Sequence, residues 1–372
     1  MNIESIRRDF DVFKKYVYLN TAVFSPLPKI TIESIERYLS IRKYGITEID
    51  EEDIINGARE KLAKIMNASC SEIAFTLNTG HGLNIVANGI DFEKDDNVIV
   101  VDSDFPSVVY PFLNKGIEIR YIKSREGVFS LRDFEKVIDD KTRVVAVSHV
   151  QFTSGYRANI RELVKIAHEH DAITVIDVAQ SLGAVNVDVK DWNVDVVVGI
   201  GYKWLMSPTG VGFLYVKEER LSDIKPSLPG WASVVDSDYF STRSLNYFID
   251  ARKYETGNLC LSCIVGLNES LRYVGRLGTC NVEERILELS RYVIKRLEEF
   301  ENVFVYTPKD KCERAGIVFF KFSGINSSKV VEELKKYSII VSERRGGIRV
   351  STHFYNTQED IDKMFSIIDQ IM

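Results

Sequence analysis

Between Ile73 and Val216 the chain alternates short runs rich in Val and Ile with stretches of helical spacing, and few folds accept that order. The strand candidates are Asn97–Val101, Ile117–Ile122, Val144–Ser148, Ile173–Asp177 and Val194–Gly199, with Val211–Val216 re-entering afterwards. Helix-compatible segments lie between them at His81–Gly89, Val108–Asn114, Leu131–Ile138 and Asn159–His170. Near-continuous apolar runs are what strands covered on both faces require. The pattern therefore predicts an α/β fold with a mainly parallel sheet and helices on both sides.

Periodicity breaks at Pro226–Gly230 (PSLPG), and a long helical pattern then starts near Leu261 and runs through Glu283 to Phe300. Beyond it, strand-like pieces at Val303–Tyr306, Gly316–Phe322, Ile339–Ser342 and Gly347–Ser351 surround a helical Ser327–Tyr337, and the chain ends in a helical Gln358–Ile371. These elements read as a second, smaller α/β unit. With 372 residues there is material for two domains and a sizeable core.

Lys plus Arg number 48 against 54 Asp plus Glu, for a net charge of −6, which lacks the basic excess that phosphate-backbone binding needs. No nucleic-acid partner is expected. No apolar run reaches the roughly 20 residues of a membrane span, and the opening MNIESIRRDFDVF has no apolar signal region, so a cytoplasmic location is expected. Five cysteines (Cys70, Cys260, Cys263, Cys280, Cys312) suit reduced thiols. Cys260 and Cys263 form one C-x-x-C, which reads as structural because zinc would need a second ligand pair and no metal site is visible.

In an open parallel sheet, ligands bind beyond the carboxyl ends of the strands. Asp177 closes the run ITVID there, where a carboxylate is costly unless a cation or strong donor meets it, although a helix N-cap explains it equally well. Lys203 follows VDVVVGIGY and is flanked by Tyr202, Trp204 and Leu205. Desolvation by such neighbours lowers a lysine pKa and frees the amine for Schiff-base chemistry, whereas most lysines are solvated surface charges. The segment Leu77–Gly82 (LNTGHG) stands between a strand and a helix and offers backbone N–H groups to an anion such as phosphate. It contains neither G-x-G-x-x-G nor G-K-[ST], which argues against a dinucleotide-binding dehydrogenase and a P-loop.

Anion cradle, strand-end Asp and following Lys, in that order, resemble the fold type I enzymes that use pyridoxal 5′-phosphate. Within them the chain resembles the class V aminotransferases, a group that includes cysteine desulfurases, kynureninase and isopenicillin N epimerase. The resemblance runs from YLNTAVFSPLP (Tyr18–Pro28) to RVSTHFYNT (Arg349–Thr357) and is most specific in VIDVAQSLGAVNVDV (Val175–Val189) and GYKWLMSPTGVGFLYV (Gly201–Val216). It implies a large cofactor-binding domain over residues 21–255 with a mainly parallel seven-stranded sheet, and a smaller C-terminal domain over 256–372 on which 1–20 packs.

The resemblance also implies roles. Lys203 matches the lysine that forms the Schiff base with the cofactor and then shuttles the proton at the substrate Cα. Asp177 matches the partner of the pyridine nitrogen, and Gln180 the donor to the phenolic oxygen. Phe105 matches a ring stacked over the cofactor, with ordinary core as its other reading. Thr79, Gly80 and His81, helped by the Tyr202 hydroxyl, match the phosphate site. Asn258 matches a residue given to the phosphate site of the other subunit, so the resemblance implies a homodimer with shared active sites. Arg349 matches the clamp for the carboxylate of an amino-acid substrate. Arg344 and Arg345 compete for that clamp, and a solvated basic turn explains them equally well; His149 reads as a hydrogen-bonded structural histidine ahead of a substrate contact.

Desulfurases carry a nucleophilic cysteine in the interval that here reads SERRGG (Ser342–Gly347), without cysteine, and the nearest one is Cys312. The Tyr202-Lys203-Trp204-Leu205 run resembles isopenicillin N epimerase and C–S lyases. These departures rank transamination-like or C–S lyase chemistry first, epimerisation next and desulfuration last.

Overall fold

The computed structural model describes residues 1–45, 49–235 and 243–371. The N-terminal segment forms α1 (Ile3–Arg7) and β1 (Val17–Tyr18), followed by α2 (Lys29–Arg42) and α3 (Glu51–Met66). A seven-stranded sheet then assembles from β2 (Ile73–Thr76), β3 (Asn97–Val101), β4 (Glu118–Ile122), β5 (Thr142–Ser148), β6 (Ile173–Asp177), β7 (Val196–Ile200) and β8 (Gly212–Val216). Its order is β2-β8-β7-β6-β5-β3-β4, antiparallel only where β8 meets β2 and β7. Between the strands run α4 (Thr79–Gly89), α5 (Pro106–Asn114), α6 (Leu131–Val137), α7 (Ile160–His168) and α8 (Val189–Trp192).

Alternation within the apolar strands explains why they accept helices on both faces. Ile99, Val101, Val145, Val147 and Ile176 enter one core, while Val98, Val100, Val144, Ala146 and Val175 enter the other. The edge strand β4 departs from the expected burial: Glu118 and Tyr121 are exposed, as befits an edge that must not invite further pairing.

The long helical pattern after Leu261 is two helices, α9 (Leu261–Leu277) and α10 (Thr279–Leu297). They part at Gly278, whose φ of +81° favours glycine. The apolar face of α9 (Ile264, Leu267, Leu271) packs in the core beneath the large sheet, whereas Leu289, Val293 and Leu297 of α10 belong to the second core. That core is built on a four-stranded sheet of β9 (Val303–Val305), β10 (Ile317–Phe322), β12 (Ser342–Arg344) and β13 (Gly347–Ser351), with α11 (Ser327–Lys336) and α12 (Gln358–Ile371) against it. The expected strand Ile339–Ser342 is divided: β11 (Ile339–Ile340) pairs in parallel with β1, and β12 starts the hairpin with β13. No helix among the described residues is long and apolar enough to cross a membrane.

One buried ion pair holds the edge of the sheet next to the candidate anion cradle. Arg59 of α3 meets Glu255 at 2.9 Å, and the Glu255 carboxylate also accepts the Phe75 backbone N–H at 2.7 Å. Removing one partner strands the other charge in the interior. Arg59→Ala is expected to lower the unfolding free energy by about 3–5 kcal/mol, read from the midpoint shift in urea denaturation.

Candidate active site

The carboxyl ends of the parallel strands open into a cavity of about 520 Å³. It sits where the connections from β3 and from β5 leave in opposite directions, the crevice that an open α/β sheet offers to ligands. Asp177, Gln180, Tyr202, Lys203, Thr79, Gly80 and Phe105 all line it.

Lys203 is held there by what surrounds it in sequence. A side chain at Gly201 would strike Ser207 Oγ, so glycine lets the turn close through the Ser207 N–H bond to the Gly201 carbonyl. Trp204 and Leu205 are buried, the Trp204 carbonyl accepts from His353 Nε2 at 3.0 Å, and Ser270 Oγ donates to the Met206 carbonyl. With its neighbours anchored on the core side, Lys203 projects into the cavity, its Nζ 5.8 Å from the Phe105 ring centroid and 6.0 Å from that of Tyr202. Burial lowers its pKa to about 8; the Asp177 charge opposes the shift, and Arg349 and Arg344 add to it.

Asp177 ends β6, and β6 lies beside β7 in parallel register. No helix follows it, so the N-cap reading fails. Its Oδ1 instead accepts the Ala179 backbone N–H at 2.7 Å, which pins the carboxylate to its own turn. Burial raises its pKa to about 6, with the Ala179 hydrogen bond and Lys203 working the other way. At neutral pH it remains mostly ionised. Gln180 is oriented by two bonds: its Oε1 accepts from Trp204 Nε1 at 2.9 Å and its Nε2 donates to the Ala22 carbonyl at 3.0 Å. Because an indole nitrogen can only donate, the amide cannot flip, and one N–H of Nε2 remains to be given.

At the anion cradle, Asn78 caps α4 by accepting the His81 N–H at 2.9 Å. The amides of Thr79 and Gly80 open the first helical turn, where no intrahelical acceptor exists. Thr79 Oγ1 is buried with no partner. His81 stands back from the cavity; its Nδ1 accepts the Leu77 N–H at 3.2 Å, and burial lowers its pKa, so the ring is neutral. Phe105 is 43% exposed and meets Phe152 edge-on at 5.3 Å, which places it on the cavity wall rather than in the core.

Arg349 arrives from the smaller sheet on β13. It is 2% exposed; its Nη1 donates to the Phe152 carbonyl at 2.6 Å and its Nε to Ser342 Oγ at 3.3 Å. No carboxylate among the described residues pairs with it. Burial lowers its pKa, yet a guanidinium remains cationic at neutral pH, so the charge waits for an anion. Arg345 is exposed on the hairpin turn with its guanidinium 5.5 Å over Phe152, and Arg344 is half-buried with its Nη1 on the Glu343 carbonyl. Asn258 is exposed and is not brought to the cavity of its own chain. His149 turns away as well: its ring packs on Trp192 at 4.6 Å, and burial keeps it neutral.

Sequence reasoning missed Asp104, Ser107 and Ser148. Asp104 is buried beneath the cavity and accepts from the Ser148 backbone N–H at 3.0 Å and from Gln151 Nε2 at 3.2 Å. Burial raises its pKa to about 6. Its place just after β3, in DSDFP, was the available signal. The donors fit the cofactor that the resemblance implies: an unpartnered hydroxyl and free amides for a phosphate, a spare amide N–H for a phenolic oxygen, a carboxylate for a ring N–H and an amine for the aldehyde.

The Lys203 amine should react with an amine-directed acylating reagent along a pH profile centred near 8, as mapped by mass spectrometry. Asp177→Asn removes the charge that holds the ammonium form, so its profile should move to lower pH. An unchanged midpoint, or one near the ordinary lysine value, would contradict the assigned environment.

Residues 17–364 match the family model described as Aminotransferase class-V. The "Probable cysteine desulfurase" of Methanothermobacter thermautotrophicus is 27% identical over 402 residues, covering 100% of this chain and 98% of that protein. The apo structure of cysteine desulfurase from Thermococcus onnurineus NA1 matches with a TM-score of 0.91 and 28% identity, covering 99% of this chain and 97% of that one. A C-DES lysine-to-alanine mutant with glycine covalently linked to the PLP cofactor shares the fold, with a TM-score of 0.90, 21% identity, and coverage of 98% and 99%. The names of the first two relatives run against the ranking from sequence, which put desulfuration last. With its cavity placed at the carboxyl edge of a mainly parallel seven-stranded sheet, this chain belongs to the class V aminotransferase family and is a pyridoxal phosphate-dependent enzyme.

Proposed function

We propose that the enzyme is a C–S lyase that releases sulfur from cysteine or a cysteine S-conjugate by β-elimination, with Lys203 and Arg349 as its principal catalytic and substrate-binding groups. The similarity to desulfurases supports a sulfur-containing amino acid as substrate. One observation favours elimination over desulfuration. Where the resemblance puts a loop with a nucleophilic cysteine, β12 turns directly into β13: Arg344 pairs with Gly347 across a tight turn whose central residues, Arg345 and Gly346, both have positive φ. Such a turn carries no cysteine and no length of loop that could carry one to the substrate.

Pyridoxal phosphate, when bound, supplies an aldehyde that captures amines and a ring that accepts electrons from the substrate carbon. Thr79 and Gly80 would hold its phosphate, Asp177 its ring nitrogen, Gln180 its phenolic oxygen and Phe105 its face. The protein then performs three tasks. Arg349 binds the substrate carboxylate and, being already buried and held by Phe152 and Ser342, gives up little freedom in doing so. Lys203, with a pKa near 8, has a free amine fraction at neutral pH and can take the proton from Cα and deliver it to the departing sulfur. Tyr202 stays protonated because burial and the Asp177 charge raise its pKa, so it can serve as a donor. The exposed Asn258 is assigned to the partner's cavity in a homodimer.

Product analysis with cofactor-loaded enzyme tests the reading. Elimination from cysteine, with water consumed, yields pyruvate, ammonia and sulfide in equal amounts, and S-methylcysteine should yield methanethiol in place of sulfide. Alanine, with sulfide appearing only after a reductant is added, would instead mark desulfuration and contradict it. Arg349→Ala should lower kcat/KM by about 30- to 1000-fold, as expected for loss of about 2–4 kcal/mol from a buried charge-assisted pair, with the larger part in KM.

A further inference from the structure

The pair Cys260 and Cys263 is not used by the chemistry above. It sits at the start of α9, against the outer side of the cavity wall. Cys260 is the residue at the N-cap position, and its carbonyl accepts the N–H groups of Cys263 and Ile264 at 2.9 Å each. That turn brings the two Sγ atoms to 2.8 Å from one another. Cys260 is exposed, and Cys263 is half-buried with its S–H donating to the Thr209 carbonyl at 3.1 Å. Thr209 and the following Gly210 line the cavity, and a Cβ on Gly210 would lie 3.3 Å from Cys263 Sγ.

The two thiols are unequal. Burial alone would raise Cys260, but the neighbouring Cys263 thiol, the Ser262 hydroxyl and the Cys263 backbone outweigh it and lower its pKa. Cys263 is pushed up, by burial first and then by its position beside Cys260. The positive end of the α9 dipole favours a thiolate at Cys260 as well. Among the described residues no group of three or more His, Cys, Asp or Glu could hold a metal ion.

We propose that Cys260 and Cys263 form a redox-active dithiol that exchanges with low-molecular-weight disulfides. The Cys260 thiolate attacks one sulfur of the small disulfide, forming a mixed disulfide and expelling one thiolate. Cys263 then gives up its proton and attacks Cys260 Sγ, closing the intrachain bond and expelling the second thiolate. The dithiol loses two electrons and two protons, and the reactant disulfide is reduced to two thiols. Closure takes the hydrogen from Cys263, so the bond to the Thr209 carbonyl on the cavity wall is lost with it.

The test uses the full-length, cofactor-loaded protein, first reduced and desalted, then titrated with cystine, alkylated and mapped without reduction. The expected result is an intrachain Cys260–Cys263 link at cystine concentrations that leave Cys70, Cys280 and Cys312 open to alkylation. Cys263→Ser should trap half-cystine on Cys260, while Cys260→Ser should leave Cys263 unmodified. At neutral pH, wild-type Cys260 should alkylate at least several-fold faster than Cys70, Cys280 and Cys312. Equal reactivity of the exposed cysteines, first attack at Cys263, or failure of the wild-type pair to close would each overturn the proposal.

Discussion

A lysine amine and a carboxylate share one poorly hydrated space at the edge of a parallel sheet, and much of the structure is arranged to keep them there. Burial pulls the two in opposite directions, Lys203 down to about 8 and Asp177 up to about 6, while each partly restores the other. A direct ion pair would quench the amine. The fold avoids this by fixing the carboxylate on the Ala179 N–H and by swinging Lys203 between the rings of Phe105 and Tyr202. Neighbouring parallel strands deliver the two groups to the same edge, and the buried Trp204 keeps the lysine from turning back.

The second charged requirement is met from another sheet. Arg349 comes from β13, yet it is anchored on the carbonyl of Phe152, beyond β5 of the large sheet. Phe152 lines the cavity, so the cation of the smaller unit is held against the cavity wall and oriented before any anion arrives. Such preorganisation costs stability: a guanidinium without a carboxylate partner and an unpartnered Thr79 hydroxyl are both kept from water. Groups of this kind are what a binding site retains and an ordinary core eliminates.

The sequence made the large sheet legible because strands covered on both faces must be largely apolar, and β3, β5, β6 and β7 are. Asp177 and Lys203 were legible as cavity residues for the same reason, since strand ends locate them, whereas Gln180 came only from the family resemblance. Other features depend on contacts between distant segments. The helical pattern after Leu261 continues through Gly278, and only the positive φ there divides it. The split of Ile339–Ser342 follows from β1 claiming β11, a pairing between opposite ends of the chain. Asp104 gains its buried partners from Ser148 and Gln151, which the topology alone brings near. The resemblance put His81 in the phosphate site, whereas the folded turn directs its ring to the Leu77 amide.

The central claim is that the Lys203 amine is the group that captures an aldehyde in this cavity. Borohydride reduction of the protein loaded with pyridoxal phosphate, followed by peptide mapping, tests it directly. The account predicts a single pyridoxyl label on Lys203, absent from Lys203→Ala. A label on another lysine, or a variant that retains the label, would contradict it.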